Sequence, residues 1–167
     1  MVAFLGLGSN LAHPRRQIAR AVRAIAGLPR VRLIAVSPNY ASAPVDCATP
    51  QPDYVNAVAA VRTTLRPRAL LAALQGIERR QHRRRDGNPG RNAPRTLDVD
   101  LLLFGRRRIR LRGLTVPHPR MHERAFVLRP LSDIAAVATI PGQGLARRFL
   151  PAVRDQRIAR TRSHFSH

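Results

Sequence analysis

The stretch that decides the fold is Pro94-Arg95-Thr96-Leu97-Asp98-Val99-Asp100-Leu101-Leu102-Leu103-Phe104-Gly105. Residues 97–104 have the length and apolar content of a buried β-strand, and Gly105 ends it. Because side chains alternate between the two faces of a strand, Asp98, Asp100 and Leu102 are predicted to share one face. The opposite face is then formed by Leu97, Val99, Leu101 and Leu103.

The two aspartates of this strand lie about 7 Å apart along it and would repel each other in a half-buried setting. The chain has 9 acidic residues against 30 basic ones, yet two of the acidic ones are here. An isolated Asp-x-Asp pair is more often an ion pair, here with Arg95, or a strand end in solvent. A hard divalent ion fits better, because Mg²⁺ is typically held by one or two carboxylates with water and substrate phosphate.

The composition predicts one globular domain over residues 1–156, followed by a frayed basic tail at 157–167. The chain has 167 residues and an apolar fraction of 44%, which is enough to bury a core. No apolar run reaches the roughly 20 residues that span a membrane, and the first residues do not have the pattern of a signal peptide. Cys47 is the only cysteine, which favours a reducing cytoplasm.

The formal charge of +21 comes entirely from arginine, since the sequence contains no lysine. Such a charge is typical of nucleic-acid binding, of a polyphosphate site, or of a genome that favours arginine codons. Aromatic residues make up only 4% of the chain, so the stacking platforms of RNA-binding sheets are scarce. The charge alone therefore does not choose between these classes.

The order of predicted elements is strand, helix, strand, then strand, helix, strand. Strands are expected at 2–7, 31–36, 54–63 and 97–104, with helices at 14–26 and from 67 to about 81. This order is that of the ferredoxin-like βαββαβ α/β (α+β) fold, an antiparallel sheet with helices packed on one face and the other face open for loops. Further helical pieces are predicted near 123–128 and 145–154, and 39–53 is predicted to be a long connection.

Two glycines near the start, Gly6 and Gly8, are spaced as in a dinucleotide-binding loop, but Leu11 stands where the third glycine would be, so a Rossmann site is disfavoured. The polar segment 82–93 instead predicts a mobile, arginine-rich loop leading into the carboxylate strand. Guanidinium groups bind phosphate bidentately and stay charged at neutral pH. Arginines beside paired carboxylates are typical of phosphoryl or nucleotidyl transfer.

Four short motifs occur in one order, and together they carry a family resemblance: Gly6-Leu7-Gly8-Ser9-Asn10-Leu11, Pro52-Asp53-Tyr54-Val55-Asn56-Ala57, Pro94-Arg95-Thr96-Leu97-Asp98-Val99-Asp100 and Leu114-Thr115-Val116-Pro117-His118. The sequence from residue 2 to about 134 closely resembles the 6-hydroxymethyl-7,8-dihydropterin pyrophosphokinases of folate biosynthesis. The resemblance implies a ferredoxin-like domain with extra C-terminal helices. It also implies a reaction in which the pterin hydroxymethyl oxygen attacks the β-phosphorus of ATP and AMP is released.

The resemblance also implies roles for individual residues. Asp98 and Asp100 would hold two Mg²⁺ ions, and the arginines Arg83 and Arg95 would engage the phosphates as the loop closes. The residues expected to frame the pterin are Ser42, Pro44, Val45, Tyr54, Asn56 and Phe126. Those expected to contact ATP are Gln75, Glu78, Arg85, Arg95, Thr115, His118 and Arg124.

The chain departs from the family pattern in the loop. The family commonly has a tryptophan three residues before the arginine that is Arg95 here, and this chain has Asn92. The loop is also about two residues longer, which leaves the registers of Arg83 and Arg85 less certain than that of Arg95.

The protein is expected to be a monomer that acts on small-molecule substrates, with no membrane and no nucleic-acid partner.

An arginine-rich RNA- or DNA-binding module on the same type of sheet is the rival hypothesis. Its affinity would fall steeply with salt and would need no divalent ion. The enzyme would release AMP from ATP only when Mg²⁺ and the pterin alcohol are both present. A catalytically dead relative is disfavoured because Asp98, Asp100 and Arg95 are all retained.

Replacement of Arg95 by alanine tests the phosphate role that the motif implies. We expect Arg95→Ala to slow the chemical step mainly, since a guanidinium contact that strengthens as the β-phosphorus centre forms lowers the barrier more than it favours binding. Rapid-quench single-turnover measurements of AMP formation check this, and an unchanged single-turnover rate would refute it.

Overall fold

The computed structural model describes residues 1–10, 13–43, 53–82 and 97–161. The strands are β1 Val2–Ser9, β2 Val31–Val36, β3 Tyr40–Ser42, β4 Tyr54–Thr63, β5 Asp98–Phe104, β6 Ile109–Leu111, β7 Leu114–Val116, β8 Thr139–Ile140, β9 Gly144–Leu145 and β10 Ile158–Arg160. The α-helices are α1 Pro14–Ala26, α2 Pro67–His82 and α3 Ala125–Ile134, and 3₁₀ turns occupy Met121–Glu123, Ala146–Phe149 and Pro151–Val153.

The central sheet has the strand order predicted for a ferredoxin-like fold. β4 pairs with β1, β1 pairs with β5, and β2 pairs with β4, all antiparallel. With α1 between β1 and β2, and α2 between β4 and β5, this is a βαββαβ unit. The short strands β3 and β10 extend the sheet beside the first half of β4.

The first hydrophobic layer lies between the sheet and the helices α1 and α2. Helix α1 begins at Pro14, which suits a first turn, and ends before Gly27, whose N–H bonds back to the carbonyls of the last turn. Its buried Ile18 and Ile25 meet Leu70 and Leu74 of α2 in one cluster with the inward side chains of β1, β4 and β5. The predicted apolar stripe of α2 is confirmed, with Leu71 only partly buried.

The alternation predicted for β5 holds from Leu97 to Leu101 and then fails. Phe4 of β1 pairs with Leu103 while Leu5 pairs with Leu101, so Leu102 is an extra residue in β5, a β-bulge. After the bulge the faces exchange, because an inserted residue advances the alternation by one step. The prediction that Leu103 shares a face with Leu101 was therefore wrong. Phe104 packs in the first layer, with α1 and α2, and Leu103 packs in a second hydrophobic layer on the other face of the sheet.

The second face of the sheet is covered over much of its area, not left open as the simple fold predicts. Leu128 and Leu131 of α3 are fully buried and belong to one cluster with Val58, Leu102 and Leu103 of the sheet. Where a helix was predicted near 123–128, a 3₁₀ turn at Met121–Glu123 is followed by the extended Arg124 and then by α3, which ends at Ile134. The piece predicted at 145–154 is two 3₁₀ turns instead of an α-helix, with Pro151 at the start of the second, where it removes a backbone donor.

Two short strands occupy segments that were predicted to be irregular. The predicted long connection contains β3, and the predicted frayed tail contains β10, which pairs antiparallel with β3. Ile158 lies opposite Ser42, and the Arg157 guanidinium bonds the Asp53 carboxylate at 2.8 Å. Neither strand was predictable because three residues carry no period, and each is stabilised only by the strand beside it. Residues 162–167 of the predicted tail lie outside the described residues, and the division at 156 stays a prediction.

Within the described segments, no helix is long and apolar enough to cross a lipid bilayer.

The packing of α2 on the sheet predicts which leucines carry stability. Leu74→Ala should lower the free energy of unfolding by about 2–5 kcal/mol, because Leu74 is fully buried and its truncation leaves a cavity. Leu111→Ala is the matched control, since Leu111 is 49% exposed. Urea unfolding measures both variants, and equal losses in the two would contradict the assigned core.

Candidate active site

A cavity of about 410 Å³ opens on the second face of the sheet, beside the N-terminal part of β5. Its lining comes from β1, β3, β4 and β5, from the start of α3, and from the segment before β10. The lining residues are Gly6, Leu7, Gly8, Ser42, Ala43, Tyr54, Asn56, Ala57, Asp98, Asp100, Leu102, Arg120, Glu123, Arg124, Phe126, Val127 and Gln156.

The strand register sets the floor of this cavity. Gly8 of β1 lies opposite Asn56 of β4 and opposite Asp98 of β5, and Gly6 lies opposite Asp100. Directly opposite residues in an antiparallel pair project from the same face. The two glycines therefore leave a gap between the carboxylates on one side and Asn56 on the other, which is the structural part played by the Gly6-x-Gly8 spacing.

The two predicted metal ligands line the cavity together, as the alternation of β5 predicts. Asp98 is half-buried and Asp100 is exposed. Both belong to the same face, with the buried Val99 between them turned into the first layer. Carboxylate oxygens with room for water and phosphate suit a hard divalent ion such as Mg²⁺. The described residues contain no cluster of three or more His, Cys, Asp or Glu side chains able to hold a metal.

The C-terminal end of α2 fastens the beginning of β5. The backbone N–H of Val99 donates to Glu78 Oε1 at 2.7 Å, and His82 Nε2 lies 3.1 Å from the carbonyl oxygen of Leu97. Glu78 and His82 are one helical turn apart, so both reach the same strand. These contacts hold the backbone on either side of Asp98. Sequence reasoning missed His82, although its spacing from Glu78 is visible in the sequence.

Four residues predicted to frame the pterin lie around the same cavity. Asn56 Nδ2 donates to Ser42 Oγ at 2.7 Å, and both side chains are buried. A Cβ on Gly8 would lie 3.1 Å from Asn56 Oδ1, which shows how closely that amide oxygen approaches β1. Tyr54 and Phe126 add aromatic walls. The space between Asn56 and Phe126, here called the slot, thus has one fixed amide at its edge.

Another wall of the cavity is built at the start of α3. The Arg124 guanidinium lies 5.4 Å from the centre of the Phe126 ring, within cation–π range. Arg124, predicted as an ATP contact, thus shares a wall with Phe126, predicted as a pterin contact. Sequence reasoning missed three polar residues of this wall, Arg120, Glu123 and Gln156, because they carry no motif.

His118 lies next to the cavity, though it is not part of the lining. Its backbone N–H donates to the Leu102 carbonyl at 2.9 Å, which fixes it beside the β5 bulge. Burial lowers the pKa of the His118 imidazole from its ordinary value; the Asp100 carboxylate opposes this shift, and Arg124 and Arg120 add to it. Nδ1 accepts the Arg120 N–H at 3.2 Å, so the neutral ring carries its proton on Nε2 and presents a donor.

The remaining predicted residues are not gathered at the cavity. Gln75 is exposed on α2, and Thr115 is exposed on β7, which pairs with β6 in a separate two-stranded sheet. Glu78 is on α2 and is engaged with β5, as described above. The predictions for Pro44, Val45, Arg83, Arg85 and Arg95 fall outside the described residues.

The sequence matches the family model described as 7,8-dihydro-6-hydroxymethylpterin-pyrophosphokinase over residues 4–136. The chain belongs to this family. A Pseudomonas aeruginosa 2-amino-4-hydroxy-6-hydroxymethyldihydropteridine pyrophosphokinase is 52% identical over 138 residues, which is 83% of each chain. The Haemophilus influenzae enzyme of that name is 40% identical, over 95% of this chain and 96% of its own.

Solved structures agree on the fold. A structure titled HPPK-DHPS in complex with substrates superposes with a TM-score of 0.66 at 15% identity, over 90% of this chain and 43% of that one. Plasmodium falciparum HPPK-DHPS with pterin and p-hydroxybenzoate gives a TM-score of 0.65 at 14% identity, over 90% of this chain. The chain therefore spans less than half the length of these HPPK-DHPS chains.

Family membership confirms the predicted activity and fold class. The protein is a pyrophosphokinase, a diphosphotransferase of folate biosynthesis that uses ATP as its co-substrate and acts on a small-molecule pterin. Its ferredoxin-like α/β sheet carries the cavity described above.

The close approach of Asn56 to β1 makes Gly8 testable. Gly8→Ala should displace the Asn56 amide, because the new Cβ would meet Oδ1 at 3.1 Å, tighter than an ordinary contact. Gly6→Ala is the matched control, since its Cβ would meet Leu102 at an ordinary 3.4 Å. The side-chain amide resonances of Asn56, observed by NMR, should shift in Gly8→Ala and stay in place in Gly6→Ala. Unshifted resonances in Gly8→Ala would contradict the predicted displacement of the amide.

Proposed function

We propose that this cavity is where the enzyme binds both substrates and transfers pyrophosphate from ATP to the hydroxymethyl group of 6-hydroxymethyl-7,8-dihydropterin. The observation that carries the proposal is the lining itself. One concave surface joins the carboxylate pair of β5 to the Asn56–Ser42 pair and the Phe126 ring. The amide pair and the aromatic ring suit a pterin, and the carboxylate pair suits a metal-bound triphosphate. The reaction requires these two substrates to lie next to each other.

The pterin occupies the slot between Asn56 and Phe126 in this proposal. A pterin has a flat apolar body and an amide-like edge, so an aromatic wall and a fixed Asn match it. The hydrogen bond from Asn56 Nδ2 to Ser42 Oγ holds the amide in one orientation. Its Oδ1 then accepts from the pterin edge, which lowers the ordering cost of binding. Pro44 and Val45 are proposed to complete the slot.

The triphosphate lies across Asp98 and Asp100 in this proposal, and these two carboxylates would hold two Mg²⁺ ions. When bound, the ions neutralise charge on the triphosphate and make its β-phosphorus more electrophilic. Arg124, which lines the same cavity, supplies a positive charge to the phosphates. His118, with its proton on Nε2, supplies a neutral donor to a phosphate oxygen. Arg83, Arg85 and Arg95 are proposed to add the charges that close over the phosphates.

At the β-phosphorus the reaction forms one bond and breaks one. The pterin hydroxymethyl oxygen attacks the β-phosphorus, and the bond between that phosphorus and the oxygen bridging to the α-phosphate breaks. AMP departs with that oxygen, the pyrophosphoryl unit stays intact on the pterin, and the hydroxyl proton is lost to solvent. The protein contributes by positioning and by charge stabilisation, which suits phosphoryl transfer.

Gln75, Glu78 and Thr115 remain proposed ATP contacts of a more distant kind. Gln75 and Thr115 are exposed, and in this proposal they meet the nucleotide outside the cavity. Glu78 has a contact that matters in its own right, since its bond to the Val99 N–H supports the strand that carries both aspartates. A monomeric state and a cytoplasmic location also stay predictions.

The covering of the second face of the sheet by α3 disfavours the nucleic-acid hypothesis. RNA-binding modules with a comparable four-stranded sheet use its open face as a stacking surface. Here α3 buries Val58, Leu102 and Leu103 on that face. The absence of a nucleic-acid partner stays a prediction, which the salt dependence of any binding would test.

The carboxylate pair supplies the decisive test. Asp98→Asn and Asp100→Asn should each lower turnover by orders of magnitude, because each removes one of the two negative charges that hold Mg²⁺. Asp155→Asn is the matched control, an exposed aspartate that does not line the cavity. Turnover is measured as AMP release from ATP with the pterin alcohol present or absent, and with Mg²⁺ or EDTA.

Two outcomes would contradict the proposal in different ways. Near-normal turnover in either β5 variant would remove the metal assignment while leaving the activity. AMP release that ignores the pterin alcohol would remove the proposed reaction itself.

A further inference from the structure

Gln156 joins the C-terminal segment to the start of α3 through both atoms of its side-chain amide. Its Oε1 accepts the backbone N–H of Ala125 at 2.8 Å, and its Nε2 donates to the backbone carbonyl of Glu123 at 2.7 Å. The contacts span 31 and 33 residues of sequence. An exposed glutamine whose donor and acceptor are both used in this way is placed by the fold, since neither contact is local.

The two bonds bracket one residue, Arg124. Glu123 precedes it and Ala125 follows it, so the glutamine amide pairs with the peptide groups on either side, as a neighbouring strand would. Arg124 itself is extended, with φ −121° and ψ 113°, which is the conformation such pairing favours. The direction in which the Arg124 side chain leaves the backbone is therefore set from outside its own segment.

The same contact caps helix α3. The first N–H groups of a helix have no partner within it, and a nearby oxygen normally accepts one of them. Arg124 occupies the capping position, and its side chain makes no capping bond. Gln156 Oε1 instead accepts the hydrogen bond of the Ala125 N–H and so acts as the cap. Phe126, the next residue of the helix, is thereby held at the cavity wall.

The segment that carries Gln156 is itself anchored to the opposite side of the cavity. The next residue, Arg157, bonds Asp53 at 2.8 Å, and Ile158 pairs with Ser42 in the β10–β3 ladder. Ser42 bonds Asn56. The C-terminal segment thus ties the wall formed by Arg124 and Phe126 to the wall formed by Ser42 and Asn56.

We propose that Gln156 is a positioning residue that holds Arg124 and Phe126 in place for the substrates, acting through the backbone on either side of Arg124. This inference rests on the proposed function of the cavity. It assigns the C-terminal segment a part in substrate binding that no sequence motif marks.

The test compares Gln156→Met with the wild-type chain. Methionine has a similar length and apolar stem but lacks both hydrogen-bonding groups, so the two bonds are lost with little change in volume. We expect the dissociation constant for a non-hydrolysable Mg²⁺–ATP analogue to rise about ten-fold, as for the loss of one to two hydrogen bonds. Titration calorimetry measures it, and the dissociation constant for the pterin alcohol should rise as well.

A double-mutant cycle separates positioning from general destabilisation. If Gln156 acts through Arg124, Gln156→Met added to Arg124→Met should weaken analogue binding little beyond Arg124→Met alone. Full additivity of the two effects would overturn the proposal. Gln143→Met is the matched control, an exposed glutamine in the turn between β8 and β9, and it should bind as the wild type does.

Amide hydrogen exchange at Ala125 keeps this inference distinct from the activity. Gln156→Met should speed exchange of the Ala125 N–H while amides in the middle of α1 and α2 keep their protection. If the wild type bound both ligands yet released no AMP, the proposed function would fail and the binding comparison would still decide the part of Gln156. If the Gln156→Met variant does not fold, Gln156→Asn replaces it in all three measurements, because asparagine carries the same amide on a shorter stem.

Two outcomes would overturn the proposal. One is unchanged ligand binding in a folded variant whose Ala125 amide has lost its protection from exchange, and the other is unchanged protection of that amide.

Discussion

The antiparallel pairing of β1 with β4 on one side and β5 on the other is the constraint on which the rest of the structure depends. Register alone brings Asn56, Gly8 and Asp98 into one row across three strands. A slip of one residue would turn both aspartates into the layer occupied by α1 and α2. Burying two carboxylates there without partners would be prohibitive, so the apolar residues of β5 and its aspartates enforce the same register from opposite faces.

The second layer decides where the cavity can be. Helix α3 covers the part of the sheet that carries Val58, Leu102 and Leu103, and the cover ends where Gly6 and Gly8 replace larger side chains. The bulge at Leu102 contributes to this division, because it adds a second leucine to the face that meets α3. Apolar packing and an open polar site thus occupy adjoining lengths of the same strands. The aspartates and Asn56 are therefore carried by strands paired in the central sheet, which suits a reaction that relies on positioning.

The cavity draws its walls from segments far apart in the chain. β1 supplies the floor, β4 and β3 supply one wall, and the start of α3 supplies the other. The ladder of β10 with β3 and the two bonds of Gln156 join these walls at the C-terminal end. The arginine excess is a separate matter, since only Arg120 and Arg124 of the described arginines line the cavity.

Period and motif alone determined the two strand faces of β4, the span of α1, the apolar stripe of α2 and the adjacency of Asp98 and Asp100, because each of these depends on near neighbours in the chain. Family resemblance added the reaction, and it added the expectation of which residues frame the pterin. The bulge at Leu102, the strands β3 and β10, the covered second face and the contacts of Gln156 and His82 were decided only by the tertiary structure. Each of these rests on a partner more than ten residues away, or on the register between two strands, and no local pattern records such a partner.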